Sequence, residues 1–251
     1  MRGALVAVLA LAALTGCSTP APAPAPADPL GGTITVFAAA SLTDSFQKIA
    51  DAFTEAHPDV AVTLNFGGSS GLATQIVEGA PADVFAAASP ATMTTVTDAA
   101  LTDGEPVDFA TNVLEIAVAS GNPGRIAGLE DFADPGRTIA LCAVEVPCGA
   151  ASAKLFAGAG ITPSVDTYEQ DVRAVLTKVE LGEVDAGLVY VTDVRAAGGA
   201  IEGIEVDSAP VAYPIAALAG SANKEAAAAF VAFVLSGEGR AILKDAGFGA
   251  P

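Results

Sequence analysis

Residues 33–42, TITVFAAASL, set the pattern for the whole chain. A β-rich apolar run stops at small residues and a serine, Ser41, and a helical pattern begins at once. Leu42, Phe46, Ile49, Ala50 and Phe53 then recur at the spacing of one helical face. Ser41 reads as the N-cap of that helix, with Asp44 three residues on as a capping-box-like partner. His57-Pro58 ends it. Residues 62–72, VTLNFGGSSGL, repeat this order: a strand, a Gly-rich turn carrying Ser69 as a second N-cap serine, then a short helix over 72–78. Each junction places a hydroxyl and first-turn backbone N–H groups at a helix N-terminus. Such an end binds an anion without needing a cationic side chain.

On either side of these junctions the chain alternates strands and helices. Strands are expected over 33–38, 60–66, 83–87, 113–119, 138–141, 186–191 and 212–218. Helices are expected to start at Ser89-Pro90 and to run over 150–157, along the stripe Val172, Val175, Leu176 and Val179 up to Gly182, and over 224–235 and 238–245. No internal repeat is visible. The alternation indicates an α/β architecture with mostly parallel sheets. In such sheets ligands bind beyond the carboxyl ends of the strands, which is where both serines stand.

The chain has 251 residues, enough for one large domain or two lobes. Its formal charge of −18 argues against nucleic-acid binding through phosphate neutralisation. It also means that an anion site here must be built from dipoles and not from a basic pocket. Arg2, an apolar run over 4–14 and Leu14-Thr15-Gly16-Cys17 form a targeting segment that resembles a bacterial lipobox. Residues 1–16 therefore read as a lipoprotein signal peptide and Cys17 as the lipidated residue. The Ala-Pro alternation that follows, within 17–32, reads as an extended tether of polyproline II type. The only attachment to the membrane is then covalent.

Gly67-Gly68-Ser69-Ser70-Gly71 matches G-x-S-x-G on a strand-turn-helix, the form of a hydrolase nucleophile elbow. That fold's triad needs a histidine after the serine, and the one histidine of the chain, His57, precedes it. A serine hydrolase using Ser69 is thus the weaker alternative. One His and three Cys cannot form a Cys/His zinc site once Cys17 is lipidated. In an exported chain Cys142 and Cys148 read as a disulfide rather than a ligand pair. Tyr190 ends the strand AGLVY, where its hydroxyl can stand over a cleft or its ring can fill a core or rim. Val172 reads first as a core residue of its helix, with a backbone N–H near the helix N-terminus.

From residue 33 to the C-terminus the chain resembles the substrate-binding proteins of molybdate ABC transporters. The resemblance rests on ITVFAAASLTDSF, NFGGSSGLATQI, GAPADVFAAAS, VEVPCG, EQDVRAVLTKVELGEVDAGLVYVTD and YPIA, taken together. It implies a type II periplasmic-binding-protein fold, two α/β lobes with the ligand cleft between them. Lobe I would comprise 33–112 plus 214–251 and lobe II 113–213. It implies oxyanion contacts at Ser41, Ser69, Cys148, Val172 and Tyr190, with Cys148 on the loop after Val-Pro. The family commonly has Ala where this chain has Cys148, but the contact there is a backbone N–H, and a Cys142–Cys148 bridge could stiffen that loop. The implied protein is an extracytoplasmic, lipid-anchored monomer and not an enzyme. It needs no cofactor, captures molybdate or tungstate and passes it to an ABC permease. A binder of another tetrahedral oxyanion, such as sulfate, is the alternative within the same class.

Overall fold

A computed structural model describes residues 30–251. The signal peptide expected over 1–16, the lipidation site Cys17 and tether residues 17–29 lie outside the described residues. β1 (Gly32–Ala39) leads through a 3-10 turn, Ala40–Leu42, into α1 (Thr43–Ala56). There follow β2 (Val60–Gly67), α2 (Ser69–Val77), β3 (Val84–Ala86), α3 (Pro90–Asp98) and β4 (Val107–Asn112). The chain continues through β5 (Leu114–Ala119), β6 (Ile139–Cys142), α4 (Pro147–Ala159), β7 (Thr167–Glu169) and α5 (Val172–Glu180). It ends with β8 (Ala186–Tyr190), α6 (Val191–Ala197), β9 (Ile201–Glu205), β10 (Val211–Ala217), α7 (Lys224–Val234) and α8 (Gly237–Ala246).

The strands form two five-stranded sheets, in the orders β2-β1-β3-β10-β4 and β7-β6-β8-β5-β9. β1 runs parallel to β2 and β3, whereas β10 runs antiparallel to β3 and β4. β6 runs parallel to β7 and β8, whereas β5 runs antiparallel to β8 and β9. Both sheets are therefore mixed, which corrects the expectation of mostly parallel pairing. The antiparallel strands are the ones by which the chain changes sheet, from β4 to β5 and from β9 back to β10. Each crossing brings the chain into its new sheet against the direction of the central parallel strands.

Both faces of the central strands are covered, so those strands read as continuous apolar runs. On one face of the first sheet Ile34, Val36 and Ala38 pack with Phe46, Ile49 and Phe53 of α1 and Phe230 of α7. On the other, Phe37 and Phe85 pack with Leu72 and Ile76 of α2 and Val96 of α3. The second sheet is enclosed in the same way by Val172, Val175, Leu176 and Val179 on one side and by Phe132 and Phe156 on the other. Phe53 is fully buried, with ring contacts to Phe230 at 5.3 Å and Phe233 at 5.6 Å.

The two crossings lie side by side. Val113 joins β4 to β5, and residues 206–210 join β9 to β10. The Leu114 N–H donates to Ser208 Oγ at 2.8 Å, and the Val113 N–H donates to Asn112 Oδ1 at 3.1 Å.

Candidate functional site

Five helical segments begin at the gap between the sheets. One small cleft there, with about 20 Å³ of room for the centre of a water-sized sphere, is lined by Ser41, Ser69, Cys148, Val172 and Tyr190, together with Gly68, Asp171 and neighbouring small residues. The five positions singled out in the sequence thus meet at one place, though several sit differently from the expectation.

Ser41 is not the N-cap of α1. It lies inside the 3-10 turn, Leu42 takes the cap position, and no side chain caps the helix. The Ser41 hydroxyl is instead paired with Tyr213 Oη at 2.9 Å, and the carboxylate of Asp44 is engaged by Arg173. Gly68 is the N-cap of α2, so Ser69 is its first residue rather than its cap. Ser69 Oγ accepts the Ala88 N–H at 3.0 Å. With that lone pair occupied, its O–H is left to donate. The same logic holds for Ser41 in one of two arrangements. Asn112 Nδ2 lies 3.4 Å from Tyr213 Oη and donates to it, and Ser41 Oγ and Tyr213 Oη share one hydrogen bond in which either hydroxyl can be the donor; when Tyr213 donates, the Ser41 proton is left for the cavity.

α4 begins at Pro147 and not near residue 150, which puts Cys148 in a helix first turn rather than in a loop. Proline at the first position gives up an N–H that the helix cannot use anyway, so Cys148 carries the first available donor. Cys142 and Cys148 are disulfide-bonded. Gly149 packs so close behind them that a Cβ there would stand 1.9 Å from the Ala143 carbonyl oxygen, and only glycine fits. Val172 opens α5 behind the N-cap Asp171, whose Oδ1 accepts the Ala174 N–H at 3.0 Å. Asp171 is the one ionised side chain on the cavity wall, and that oxygen serves the helix.

Tyr190 closes β8 and caps α6. Its hydroxyl is buried and makes no hydrogen bond. Burial, and after it the nearness of Tyr213 and Asp193, holds the phenol well above its usual pKa, so it remains a neutral donor. Behind it stands fully buried Asp193, whose Oδ2 accepts the Tyr190 N–H at 3.1 Å. Burial pushes the Asp193 carboxyl up to about 6, with the Arg173 guanidinium opposing that rise. The sequence reading missed Tyr213, Asn112 and Asp193. Tyr213 opens the quoted segment YPIA, and a buried Asn and Asp beside apolar strand ends were the available signals.

The lobes touch at this cavity. A Cβ on Gly68 would stand 2.2 Å from the Gln170 carbonyl oxygen of the facing lobe, and the Tyr190 and Tyr213 rings meet edge-on at 6.0 Å. The cavity wall has no histidine or cationic side chain. The hydroxyls of Ser41, Ser69 and Tyr190 and the first turns of α4 and α5 border the cleft, a suitable arrangement for a small anion.

Residues 34–249 match the family model described as bacterial extracellular solute-binding protein. The chain belongs to this family. Molybdate-binding protein ModA of Mycobacterium tuberculosis is 40% identical over 98% of this chain and 97% of its own length. ModA of Escherichia coli is 33% identical over 86% of this chain and 89% of its own length. Among solved structures, the periplasmic molybdate-binding protein of Azotobacter vinelandii superposes with a TM-score of 0.75 at 21% identity, over 87% of this chain and 99% of that one. The sulfate-binding protein SubI of M. tuberculosis gives 0.76 at 19% identity, over 86% of each chain. These two likenesses establish the fold: two mixed α/β lobes of the periplasmic-binding-protein kind. Family members are extracytoplasmic solute-binding proteins of transport systems.

Proposed function

We propose that this protein captures molybdate, or tungstate, outside the cytoplasm and delivers it to an ABC permease. It is held to the membrane as a monomer by a lipid on Cys17. The lobes are read as 33–112 plus 214–251 and 113–213, with the second boundary moved back to the 206–210 crossing because β10 (Val211–Ala217), and Tyr213 with it, lies in the first sheet. The observation that carries this reading is the meeting of Ser41, Ser69, Cys148, Val172 and Tyr190 around one cation-free cleft. The names of the ModA relatives support the ligand. A Bacillus subtilis relative, YvgL, is provisionally named an ABC transporter substrate-binding lipoprotein and is 27% identical over 87% of this chain, which supports the partner and the anchor. The ligand is cargo, and no cofactor takes part.

In this reading Ser41, Ser69 and Tyr190 donate through hydroxyls, and Cys148 and Val172 through backbone N–H groups. Molybdate and tungstate are fully deprotonated at pH 7 and present only acceptors. Phosphate at that pH is partly protonated, and the one carboxylate on this wall that could accept its proton, Asp171, already receives the Ala174 N–H as the cap of α5; a proton left unpaired costs about 1–3 kcal/mol. Sulfate presents only acceptors but is a smaller tetrahedron, which cannot reach every donor at once. The charge of the dianion is balanced by helix N-termini in a low-dielectric enclosure.

Calorimetric titration with molybdate, tungstate, sulfate and phosphate tests this. One molybdate or tungstate per chain is expected, with sulfate and phosphate far weaker. Comparable phosphate uptake would overturn the donor-only reading, and preferential sulfate uptake would assign the site to the smaller anion.

A further inference from the structure

Arg173 follows Val172 on the first turn of α5 and belongs to the second lobe. Its guanidinium reaches two carboxylates on different lobes. Nε lies 3.0 Å from Asp193 Oδ1 within the second lobe, and Nη2 contacts Asp44 Oδ2 on α1 of the first. Asp193 in turn holds the Tyr190 N–H. Asp44 stands three residues after Ser41 and is half exposed. A line of charge contacts therefore runs from the start of α1, across the cleft, to the carboxylate that positions Tyr190.

We propose that Asp44 and Arg173 form a closure latch, an ion pair that exists only while the lobes meet and that sets how slowly the captured anion leaves. The proposal rests on the anion-binding reading above and adds to it a residue pair outside the cavity wall. The physical basis is the division of labour around Arg173. The buried carboxylate of Asp193 keeps the guanidinium oriented whether the cleft is open or shut. A pre-oriented planar fork loses less freedom when a second carboxylate arrives. Opening at Val113 and residues 206–210 separates α1 from α5, so it breaks the Asp44 contact while leaving Asp193 paired. Lys48, Arg195 and Asp245 line the same outer cleft. Among the described residues, none of those three is in an ion pair with Asp44 or Arg173.

The sign of one substitution separates this latch from simple electrostatics. Asp44 places a negative charge beside a site that is to hold a dianion. By Coulomb repulsion alone, Asp44→Asn tightens binding. A latch makes the same change loosen it. The latch predicts that Asp44→Asn raises the molybdate dissociation rate about two- to fivefold, the range of a partly exposed ion pair, with a nearly unchanged association rate. Asp44→Glu, which keeps the charge, restores most of the slow dissociation. The melting temperature without anion stays close to that of the parent, because Asp193 keeps its partner.

The experiment is stopped-flow release of molybdate from the parent, Asp44→Asn and Asp44→Glu. It is paired with interlobe distances from labels at the exposed positions Glu55 on α1 and Glu180 on α5. Faster release from Asp44→Asn, rescue by Asp44→Glu and a shift of the Asp44→Asn distances towards longer values support the latch. Unchanged or slower release from Asp44→Asn overturns it. If the parent takes up no oxyanion, the functional reading fails on its own. The anion-free distances then decide the latch: lengthening in Asp44→Asn supports it, and identical distributions overturn it.

Discussion

In the proposed anion site the two walls would offer their donors by different means. The first-lobe wall carries side-chain hydroxyls, Ser41 and Ser69, and orients each through a neutral hydrogen bond, Ser41 with Tyr213 Oη and Ser69 with the Ala88 N–H. The second-lobe wall presents backbone N–H groups at Cys148 and Val172 and the Tyr190 hydroxyl. It orients these through stiffer devices: a disulfide, the Asp171 cap and the buried Asp193–Arg173 pair. The first wall is thus exposed to single side-chain changes, whereas the second can exchange side chains at Cys148 and Val172 and keep its donors. This is consistent with Cys148 standing where the family resemblance led to an expectation of Ala.

The largest effects should come from the hydroxyls. Ser41→Ala and Ser69→Ala are each expected to weaken molybdate binding by about 1–3 kcal/mol, roughly 5- to 150-fold in Kd, as measured by calorimetry. Val172→Ala, which keeps its N–H, is expected to bind nearly as the parent does. Equal losses at both walls would erase the distinction. Tyr190→Phe is the next largest, about tenfold in Kd. Its signature is different, because the hydroxyl it removes is buried without a partner. The anion-free melting temperature is therefore expected to hold or rise slightly while binding weakens. A matched loss of both would make Tyr190 a structural residue.

Reduction of the Cys142–Cys148 bridge should have a smaller effect, a few-fold weaker binding with the fold intact. Its role is to limit the freedom of the α4 start before capture, and Ser41, Ser69 and Tyr190 lie on other segments. Complete loss of binding on mild reduction would give that turn a far larger part.

The smallest effect concerns stability against pH. The Asp193 carboxyl has a folded pKa of about 6, above its value of about 3.9 in an unfolded chain. Between those values the folded state holds the extra proton, so this group adds stability as pH falls through 6 towards 4 and withdraws it as pH rises. Melting curves of the parent and Asp193→Asn should show the parent gaining on the variant over that window. A constant difference between them would mean that Asp193 does not titrate there.

The sequence carried the central strands and their helix junctions because those strands are buried on both faces and end at small residues and serines. β4, β7 and β9 escaped notice, and all three are edge strands. With one side unpaired they need no continuous apolar run, and β9, IEGIE, carries two exposed acidic residues, Glu202 and Glu205, in its five positions. α6 was missed because its seven residues, VTDVRAA, are too few to display a helical period and follow directly on β8. At the site, residues whose own side chain or N–H faces the cavity were legible from local pattern. Tyr213 and Asn112 were not, because each acts on a residue remote in sequence, and Asp193 was not because it belongs to the short helix α6, where it holds the N–H of Tyr190 three positions before it. Tyr213 reaches Ser41 across 172 positions and Asn112 reaches Thr192 across 80.

The central claim is that an anion is held by neutral donors from both walls and not by the cations of the outer cleft. Anomalous scattering at the molybdenum absorption edge, from crystals grown with molybdate, tests it directly. The account predicts one peak per chain, enclosed by Ser41, Ser69, Cys148, Val172 and Tyr190, with oxygens within hydrogen-bond reach of all five. A peak against Lys48 and Arg195, with the cavity between the serines and Tyr190 left without molybdenum, would contradict it.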